Sequence, residues 1–402
     1  MTTRRQFFKQ GVASGAVAMT SRFATAADSR HAKTSLSGKV MLPMPSVPWR
    51  EATPIGGPHR ELTRAEMAPF QSDPSGFANM QSSLKQARTY GPLLKSIGAL
   101  IYNDFCLVQD KTGRWHTMGD EINLDIRGIP TLYHFVSRGI EGPYTRLQPV
   151  GSGFSVSQLP GRALTMTAPC VIWKDDRTAL MFYAHVISGE QNGVEKIYDA
   201  SIRVLESTDA KLESWAPRFD PAFPEQNVVF RENYCRDPEV IWDKERRLYL
   251  MYYVIGDGWT DPQAQCVLRV RTSRDLSTWS EPKTLMAPPA GYRAAESIFV
   301  LKKDDLYYLW LCGFDYGRMS LYISEDPLNF GDPVRNRVME QHGHAPEIVY
   351  VNGEYWMACA GIASEFGQGW GIHDLLGTYL QPLKWVEASA EERAKIIRNS
   401  AT

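Results

Sequence analysis

The sequence predicts an all-β chain folded as a five-bladed β-propeller with an N-terminal extension. A strand–turn–strand phrase recurs five times, charged or glycine-containing turns separate its β-branched and aromatic runs, and no long amphipathic helix interrupts the repeats. The phrases begin at Asp104, Ala168, Asp237, Glu296 and Ala345. Their starts are roughly 50 to 70 residues apart, whereas a four-stranded blade takes about 40 to 50 residues, so the surplus must lie in loops.

Each phrase has the composition of two antiparallel strands. The third copy, residues 237–253, reads Asp-Pro-Glu-Val-Ile-Trp, then a charged turn, then Leu-Tyr-Leu-Met-Tyr-Tyr. Later strand-like runs at 267–279 and 319–327 indicate four strands per unit. A β-sandwich with similar hairpins is the alternative, but a sandwich would not repeat one phrase at this period.

The composition limits the partners of the protein, and the N-terminus predicts its destination. The chain has 402 residues, a formal net charge of -1 and no long basic run, which disfavours a nucleic-acid partner. The N-terminus has the three parts of a twin-arginine (Tat) signal peptide: Arg4-Arg5, a weakly apolar stretch and the sequence Ala-Thr-Ala. We therefore expect a periplasmic or secreted protein without membrane insertion. The predicted divisions are a signal peptide at 1–26, an N-terminal extension at 27–95, the propeller at 96–390 and a C-terminal tail at 391–402.

The six cysteines follow no zinc-binding spacing. Several of them lie inside apolar strand runs, where a free thiol behaves as a small hydrophobic group. We therefore predict buried thiols and no cysteine-based metal cluster.

Propeller symmetry converts the repeat into a prediction of geometry. The innermost strand of each blade lines the central channel, so equivalent positions form a ring about the axis. When the five phrases are aligned, their first residues form one ring: Asp104, Ala168, Asp237, Glu296 and Ala345. The ring before it contains Asn103, Thr167, Arg236, Ala295 and His344. Three carboxylates at one level repel one another, and this repulsion should raise the pKa of at least one of them.

A protonated carboxyl group beside an ionised one is what glycoside hydrolysis requires. One carboxylic acid protonates the leaving oxygen, and one carboxylate acts as base or nucleophile at the anomeric carbon. The arginine fork can orient a neighbouring carboxylate or bind vicinal sugar oxygens, and aromatic faces suit the apolar side of a sugar. The candidate substrate-binding residues are Asn103, Arg236, Arg293, His344 and Tyr102. Glu239 and Glu347, two residues into their strands, return to the same strand face and are candidate partners of the acids.

The motifs Asn103-Asp104, Arg236-Asp237-Pro238 and Ala295-Glu296-Ser297 resemble those of the five-bladed propeller glycoside hydrolases of families 43, 32 and 68. The resemblance spans about residues 97–387. It implies that Asp104 is the base or nucleophile, that Asp237 stabilises the transition state and tunes the acid, and that Glu296 is the general acid. The pattern departs from these families at Phe105, where they have proline, and in Glu-Ser, where they have Glu-Cys-Pro or Glu-Gly-Pro.

The same resemblance bears on substrate and cofactors. It implies an enzyme for furanosyl or related sugars with no required cofactor, and in family 43 a blade-five histidine, here His344, can help hold a calcium ion or a water near the axis. A carbohydrate-binding propeller without catalysis is the main alternative, although a binding site does not need a third, repelling carboxylate. A propeller lyase or phosphorylase is less favoured, because only Arg236, Arg293 and His344 are available for a phosphate.

Overall fold

The computed structural model describes the chain from Lys39 to Arg398 with nine internal gaps, and it has an all-β architecture. The predicted signal peptide and Arg293 lie outside the described residues. None of the helices in the described part is long and apolar enough to cross a membrane. The described ranges are 39–61, 101–122, 131–151, 162–191, 194–218, 228–256, 266–287, 295–312, 318–360 and 375–398.

The strands follow one another in chain order. The first eleven are β1 (Met41–Pro45), β2 (Thr53–Glu61), β3 (Ile101–Gln109), β4 (Trp115–Ile122), β5 (Leu132–Ser137), β6 (Thr145–Arg146), β7 (Arg162–Trp173), β8 (Ala179–Gln191), β9 (Val194–Ser207), β10 (Ala216–Pro217) and β11 (Val228–Arg231). The others are β12 (Arg236–Asp243), β13 (Leu248–Ile255), β14 (Val267–Ser273), β15 (Lys283–Met286), β16 (Glu296–Lys303), β17 (Leu306–Cys312), β18 (Arg318–Ser324), β19 (Met339–His342), β20 (Glu347–Val351), β21 (Glu354–Ala360) and β22 (Leu375–Glu387). A 3-10 turn, Trp49–Glu51, and a short helix α1, Ala390–Ala394, accompany them.

These strands form five antiparallel sheets arranged as the blades of a propeller. Blade one is β3–β6, blade two is β7–β10 with β11, blade three is β12–β15, blade four is β16–β19, and blade five is β20–β22 with β1 and β2. The innermost strands β3, β7, β12, β16 and β20 contact one another in that order, and β20 contacts β3 to close the ring. The predicted five-bladed propeller is therefore confirmed.

The blades are held together by apolar side chains that point alternately to the two neighbouring blades. On β13, Leu250, Tyr252 and Val254 join the apolar cluster shared with blade four. Met251 and Tyr253 lie between them in sequence and join the cluster shared with blade two. Since successive side chains of a strand point to opposite faces, a strand buried on both faces needs an unbroken apolar run, as β13 has. All six cysteines are buried, and all six are free thiols.

The N-terminal segment contributes strands to the propeller. Strand β1 pairs antiparallel with β22, from Met41 opposite Glu387 to Pro45 opposite Leu383, and β2 pairs with the first half of β22. The sequence analysis had the propeller begin at residue 96, whereas its fifth sheet already includes residue 41. The repeat could not reveal this pairing, because β1 lies far from its partner in sequence and carries no copy of the phrase.

Closure of blade five by β1 predicts a stability effect. Leu42 is 2% exposed, whereas Val386, opposite it on β22, is 41% exposed. Leu42→Ala should lower the free energy of unfolding by about 2–5 kcal/mol, because it removes a packed side chain and leaves a cavity. Val386→Ala is the matched control and should change it by less than about 0.5 kcal/mol. Chemical denaturation measures both, and equal effects would contradict this role of β1.

Candidate active site

Each inner strand has a backbone irregularity at the same point of the repeat. At this point every blade has a non-glycine residue with positive φ: Asp104 (26°), Ala168 (48°), Asp237 (55°), Ser297 (48°) and Ala345 (45°). In blades one to four, the register with the second strand shifts by one residue at this point, as in a β-bulge. In blade one the bulge presses against Gly119, where an added Cβ would lie 2.6 Å from the Cβ of Phe105. Bulges re-aim side chains, and here they aim one residue of each blade at the axis.

The bulges correct the predicted ring by one residue in blade four. Glu296 pairs with Cys312 before the bulge, as Arg236 pairs with Val254 in blade three, and Ser297 is the residue with positive φ. Glu296 therefore belongs to the ring of Asn103, Thr167, Arg236 and His344, and Ser297 to the ring of Asp104 and Asp237. The sequence alignment matched Glu296 to Asp237, whereas the backbone geometry shows that Ser297 is the residue equivalent to Asp237.

A pocket of about 320 Å³ opens on the axis at this level. Every blade contributes its bulge residue and the residue after it. The lining residues are Asp104, Phe105, Ala168, Pro169, Asp237, Pro238, Ser297, Ile298, Ala345 and Pro346, together with Glu239 and Glu347. The pocket is thus the predicted convergence point of the five repeats.

Ser297 connects two of the predicted catalytic carboxylates. Its hydroxyl donates to Asp104 Oδ1 over 2.9 Å, and its backbone N–H donates to Asp237 Oδ2 over 2.9 Å. His344 Nε2 lies 3.2 Å from the same Oδ1 of Asp104. Asp104 therefore has two side-chain partners on one oxygen. Ser297, from blade four, binds both Asp104 of blade one and Asp237 of blade three.

Arg236 connects the third carboxylate to this group. Its Nη2 lies 3.6 Å from Glu296 Oε2, and its Nε lies 3.9 Å from Asp237 Oδ2. The guanidinium is 5% exposed, donates to the carbonyl oxygen of Ala295 over 3.2 Å, and lies 5.4 Å from the ring centre of Tyr234. The structure thus brings Asp104, Asp237 and Glu296 together around one arginine and one serine.

Glu296 and Asp104, the predicted general acid and the predicted base or nucleophile, have different electrostatic environments. Burial raises the pKa of Glu296 to about 7, with the charges of His344 and Arg236 only partly opposing it. Burial also acts to raise the pKa of Asp104, but hydrogen bonds from His344 and Ser297 outweigh it, so this pKa lies below its usual value. Near neutral pH, Glu296 can hold a proton while Asp104 is ionised.

Asp237 has an intermediate character. Burial raises its pKa, the adjacent Arg236 lowers it, and the charge of Asp104 raises it, with a net increase. Desolvation and a nearby carboxylate thus outweigh an arginine that Asp237 shares with Glu296.

The residues around His344 do not form a metal site. Burial lowers its pKa, but contacts with Asp104 and Cys312 raise it well above the usual value. A metal ligand must be a neutral imidazole, whereas the raised pKa favours the protonated form of His344 beside Asp104. Within the described ranges, no group of three His, Cys, Asp or Glu side chains could hold a metal ion. The calcium site implied by the family resemblance thus finds no support in these side chains.

The predicted substrate-binding residues that the structure describes are not among the residues lining the pocket, and neither is Glu296. Tyr102 is 1% exposed and packs edge-on against Tyr133 and Phe135, with ring centres 5.0 Å and 5.9 Å away. It is therefore a core residue, because the side chain two residues before the bulge points into blade one. Asn103 is half-buried next to Asp104, and Arg293 lies outside the described residues.

Glu239 and Glu347 link neighbouring blades beneath the acids. Glu347 accepts the backbone N–H of Leu107 in blade one over 3.2 Å, and Glu239 accepts that of Val300 in blade four. Cys170 plays the same part at 3.2 Å from the backbone nitrogen of Val240. An innermost strand is a sheet edge, and these side chains satisfy N–H groups that have no strand partner on the channel side.

Asp120 is a fourth buried acid near the pocket, and the sequence analysis did not identify it. It is 3% exposed and lies on β4, opposite Asn103. Its carboxyl accepts the Thr167 hydroxyl over 2.5 Å and the Ala168 backbone N–H over 3.3 Å, both from blade two. No pattern in the sequence distinguished it, because it lies outside the repeated phrase in a strand of mixed composition, Trp-His-Thr-Met-Gly-Asp-Glu-Ile.

Known proteins resemble the chain only distantly. No protein-family model and no curated protein sequence match it. Similar solved structures include a thermostable family-43 glycoside hydrolase, with 14% identity, a TM-score of 0.48, and coverage of 73% of this chain and 95% of that one. A second is a family-43 β-xylosidase/α-arabinofuranosidase from a compost metagenome, with 15% identity, a TM-score of 0.48, and coverage of 71% and 92%.

A third is an exo-1,5-α-L-arabinanase from a bovine ruminal metagenomic library, with 16% identity, a TM-score of 0.45, and coverage of 71% of this chain and 93% of that one. Two of the three carry the family name that the sequence motifs indicated. Similarity at this level does not establish an activity, so the function has to be argued from the residues of the pocket.

Proposed function

We propose that this protein is a glycoside hydrolase that cleaves furanosyl or related sugars at the axial pocket. The observation that carries the proposal is that two acids near one pocket have different hydrogen-bond and charge partners. Asp104 is hydrogen-bonded by His344 and Ser297, whereas Glu296 is buried with Arg236 at 3.6 Å. Glycoside hydrolysis uses such a pair, with one acid ionised and the other protonated.

The roles follow from these environments. Glu296 donates its proton to the oxygen of the leaving group as the glycosidic bond breaks. Asp104, held ionised, attacks the anomeric carbon or activates the water that does so. The oxocarbenium-like transition state carries positive charge at the anomeric carbon, and Asp237 stabilises that charge while sharing Arg236 with Glu296. In this proposal Arg236 and Asn103 bind sugar hydroxyls.

Product analysis on a panel of glycosides tests this proposal. The panel contains arabinofuranosyl, fructofuranosyl, xylosyl and anhydro-sugar substrates, and anomeric NMR of the first product reports retention or inversion. Release of a monosaccharide that is absent with Asp104→Asn supports the proposal. Tight binding of a sugar without turnover would instead support a carbohydrate-binding propeller.

The pH dependence of kcat/KM should report the titrations of both Glu296 and Asp104. Activity requires protonated Glu296, so it should fall as the pH rises through about 7, the pKa to which burial raises this group. Activity also requires ionised Asp104, whose pKa is lowered, so the acid limb should lie below the usual range of an aspartate. Initial rates from pH 3 to pH 10 measure both limbs. A profile that is flat between pH 6 and pH 9 would contradict the assignment of Glu296.

We also propose that residues 1–26 direct export of the folded protein through the Tat route. Arg4→Lys together with Arg5→Lys should leave the precursor in the cytoplasm, because the receptor recognises the arginine pair. Fractionation and immunoblotting of cells expressing either form measure this. Lys9→Arg is a control in the same segment and should have no effect. Undiminished export of the double variant would indicate another type of signal.

A further inference from the structure

Asp120 lies next to the position at which blade two has no acid of its own. Blades one and three present Asp104 and Asp237 at their bulges, whereas blade two presents Ala168. The Asp120 carboxyl reaches across from blade one and holds the backbone of that alanine and the hydroxyl of Thr167. It does not line the pocket itself, so it can act on the reaction only through its neighbours.

The hydrogen-bond donors of Asp104 and Asp120 differ in charge. Asp104 lies 3.2 Å from His344 Nε2, whose raised pKa favours the imidazolium, and it accepts the hydroxyl of Ser297. Asp120 has only a hydroxyl and a backbone amide, both neutral. A charged donor stabilises a carboxylate about twice as strongly as a neutral one. Where two buried acids compete for one proton, the acid with neutral partners should keep it.

The charged groups that act most strongly on Asp120 are acids. In the described part of the chain the groups facing it are Asp104 on β3, Asp237 on β12, Tyr133 on β5 and the two residues of β7 already named. Burial, and next to it the charge of Asp104, raises the pKa of Asp120 well above its usual value. The electrostatic direction therefore agrees with the hydrogen-bond geometry.

We propose that Asp120 is a positioning residue that stays protonated while Asp104 is ionised, so that this side of the pocket carries one negative charge, next to His344. Its role deepens the proposed function and depends on Asp104 being the reactive carboxylate. As a neutral acid, Asp120 accepts the Ala168 N–H with one oxygen and donates to Thr167 with the other. It thereby holds the bulge of blade two without competing with Asp104 for the imidazolium.

Carboxyl ¹³C NMR with selectively labelled aspartate tests the pairing without reference to activity. Asp120→Asn and Asp120→Glu each remove the Asp120 resonance and so identify it. In the unsubstituted protein it should remain protonated through neutral pH. In Asp104→Asn its proton affinity should fall about tenfold or more, because the charge that raises it is gone. A merely structural Asp120 would not respond, so an unmoved titration, or an Asp120 ionised at neutral pH, would overturn the proposal.

Kinetics provide the second readout. Asparagine reproduces the shape and hydrogen bonds of the neutral acid, so Asp120→Asn should keep kcat/KM within about threefold and leave its acid limb in place. Asp120→Ala, which leaves the Ala168 N–H without an acceptor, should lose about tenfold or more. An acid limb displaced to lower pH in Asp120→Asn would mean that a negative charge had been removed, which overturns the proposal.

Glu121→Gln is the control. Glu121 follows Asp120 on β4, and its carboxylate pairs with Arg146 over 2.7 Å. Its substitution should change neither the titration nor the acid limb. If the protein has no glycosidase activity, the NMR titration still decides whether the two acids share a proton, so failure of the function and failure of the pairing are distinguishable.

Discussion

Asp104→Asn should lose activity on the order of 10⁴-fold, both on a natural glycoside and on an aryl glycoside with a good leaving group. The loss does not depend on the leaving group, because attack at the anomeric carbon is needed whatever departs. Asparagine keeps the size of the side chain and can still receive the Ser297 hydroxyl, but it offers His344 no negative charge. Initial rates on both substrates measure the effect.

Asp175→Asn is the matched control for this variant. Asp175 lies in the exposed turn between β7 and β8, where its carboxylate accepts the backbone N–H groups of Arg177 and Thr178. Its substitution should leave the rates on both substrates nearly unchanged. If Asp104→Asn retained activity within about tenfold of the unsubstituted protein, the proposed mechanism would be wrong and the carbohydrate-binding alternative would be favoured.

Glu296→Gln should separate the two substrates. General acid catalysis typically contributes about 10² to 10⁴-fold in rate, and a loss of this size is expected on a natural glycoside with a poor leaving group. The loss should be much smaller on an aryl glycoside, which needs little protonation to depart. The alkaline limb of the pH profile should also disappear, because the group that titrates at about 7 is removed.

Glu245→Gln is a suitable comparison, since Glu245 lies in the exposed hairpin of blade three and pairs with Lys302. It should behave like the unsubstituted protein on both substrates. Equal losses for Glu296→Gln on the two substrates would argue against the acid role. They would point instead to a contribution through Arg236, whose Nη2 lies 3.6 Å from Glu296.

The amino-acid sequence by itself determined the architecture and most of the acids. Five copies of one strand–turn–strand phrase predict five equivalent sheets, and alternation along each strand assigns the faces that pack between blades. Rotational symmetry then places the starts of the phrases around one axis. Asp104, Asp237 and Arg236 could be found in this way because each lies at the start of a phrase or directly before it, in the strand next to the channel.

Only the tertiary structure decided what depends on single-residue register and on contacts between blades. A bulge adds one residue to a strand, so it placed Ser297 at the axis and Glu296 one position before it. Asp120 comes from a second strand and meets blade two, and β1 pairs with β22 from the other end of the chain. A linear pattern predicts which face a side chain takes within its own strand. It does not predict which distant backbone that side chain meets, because loop lengths and packing between blades determine that contact.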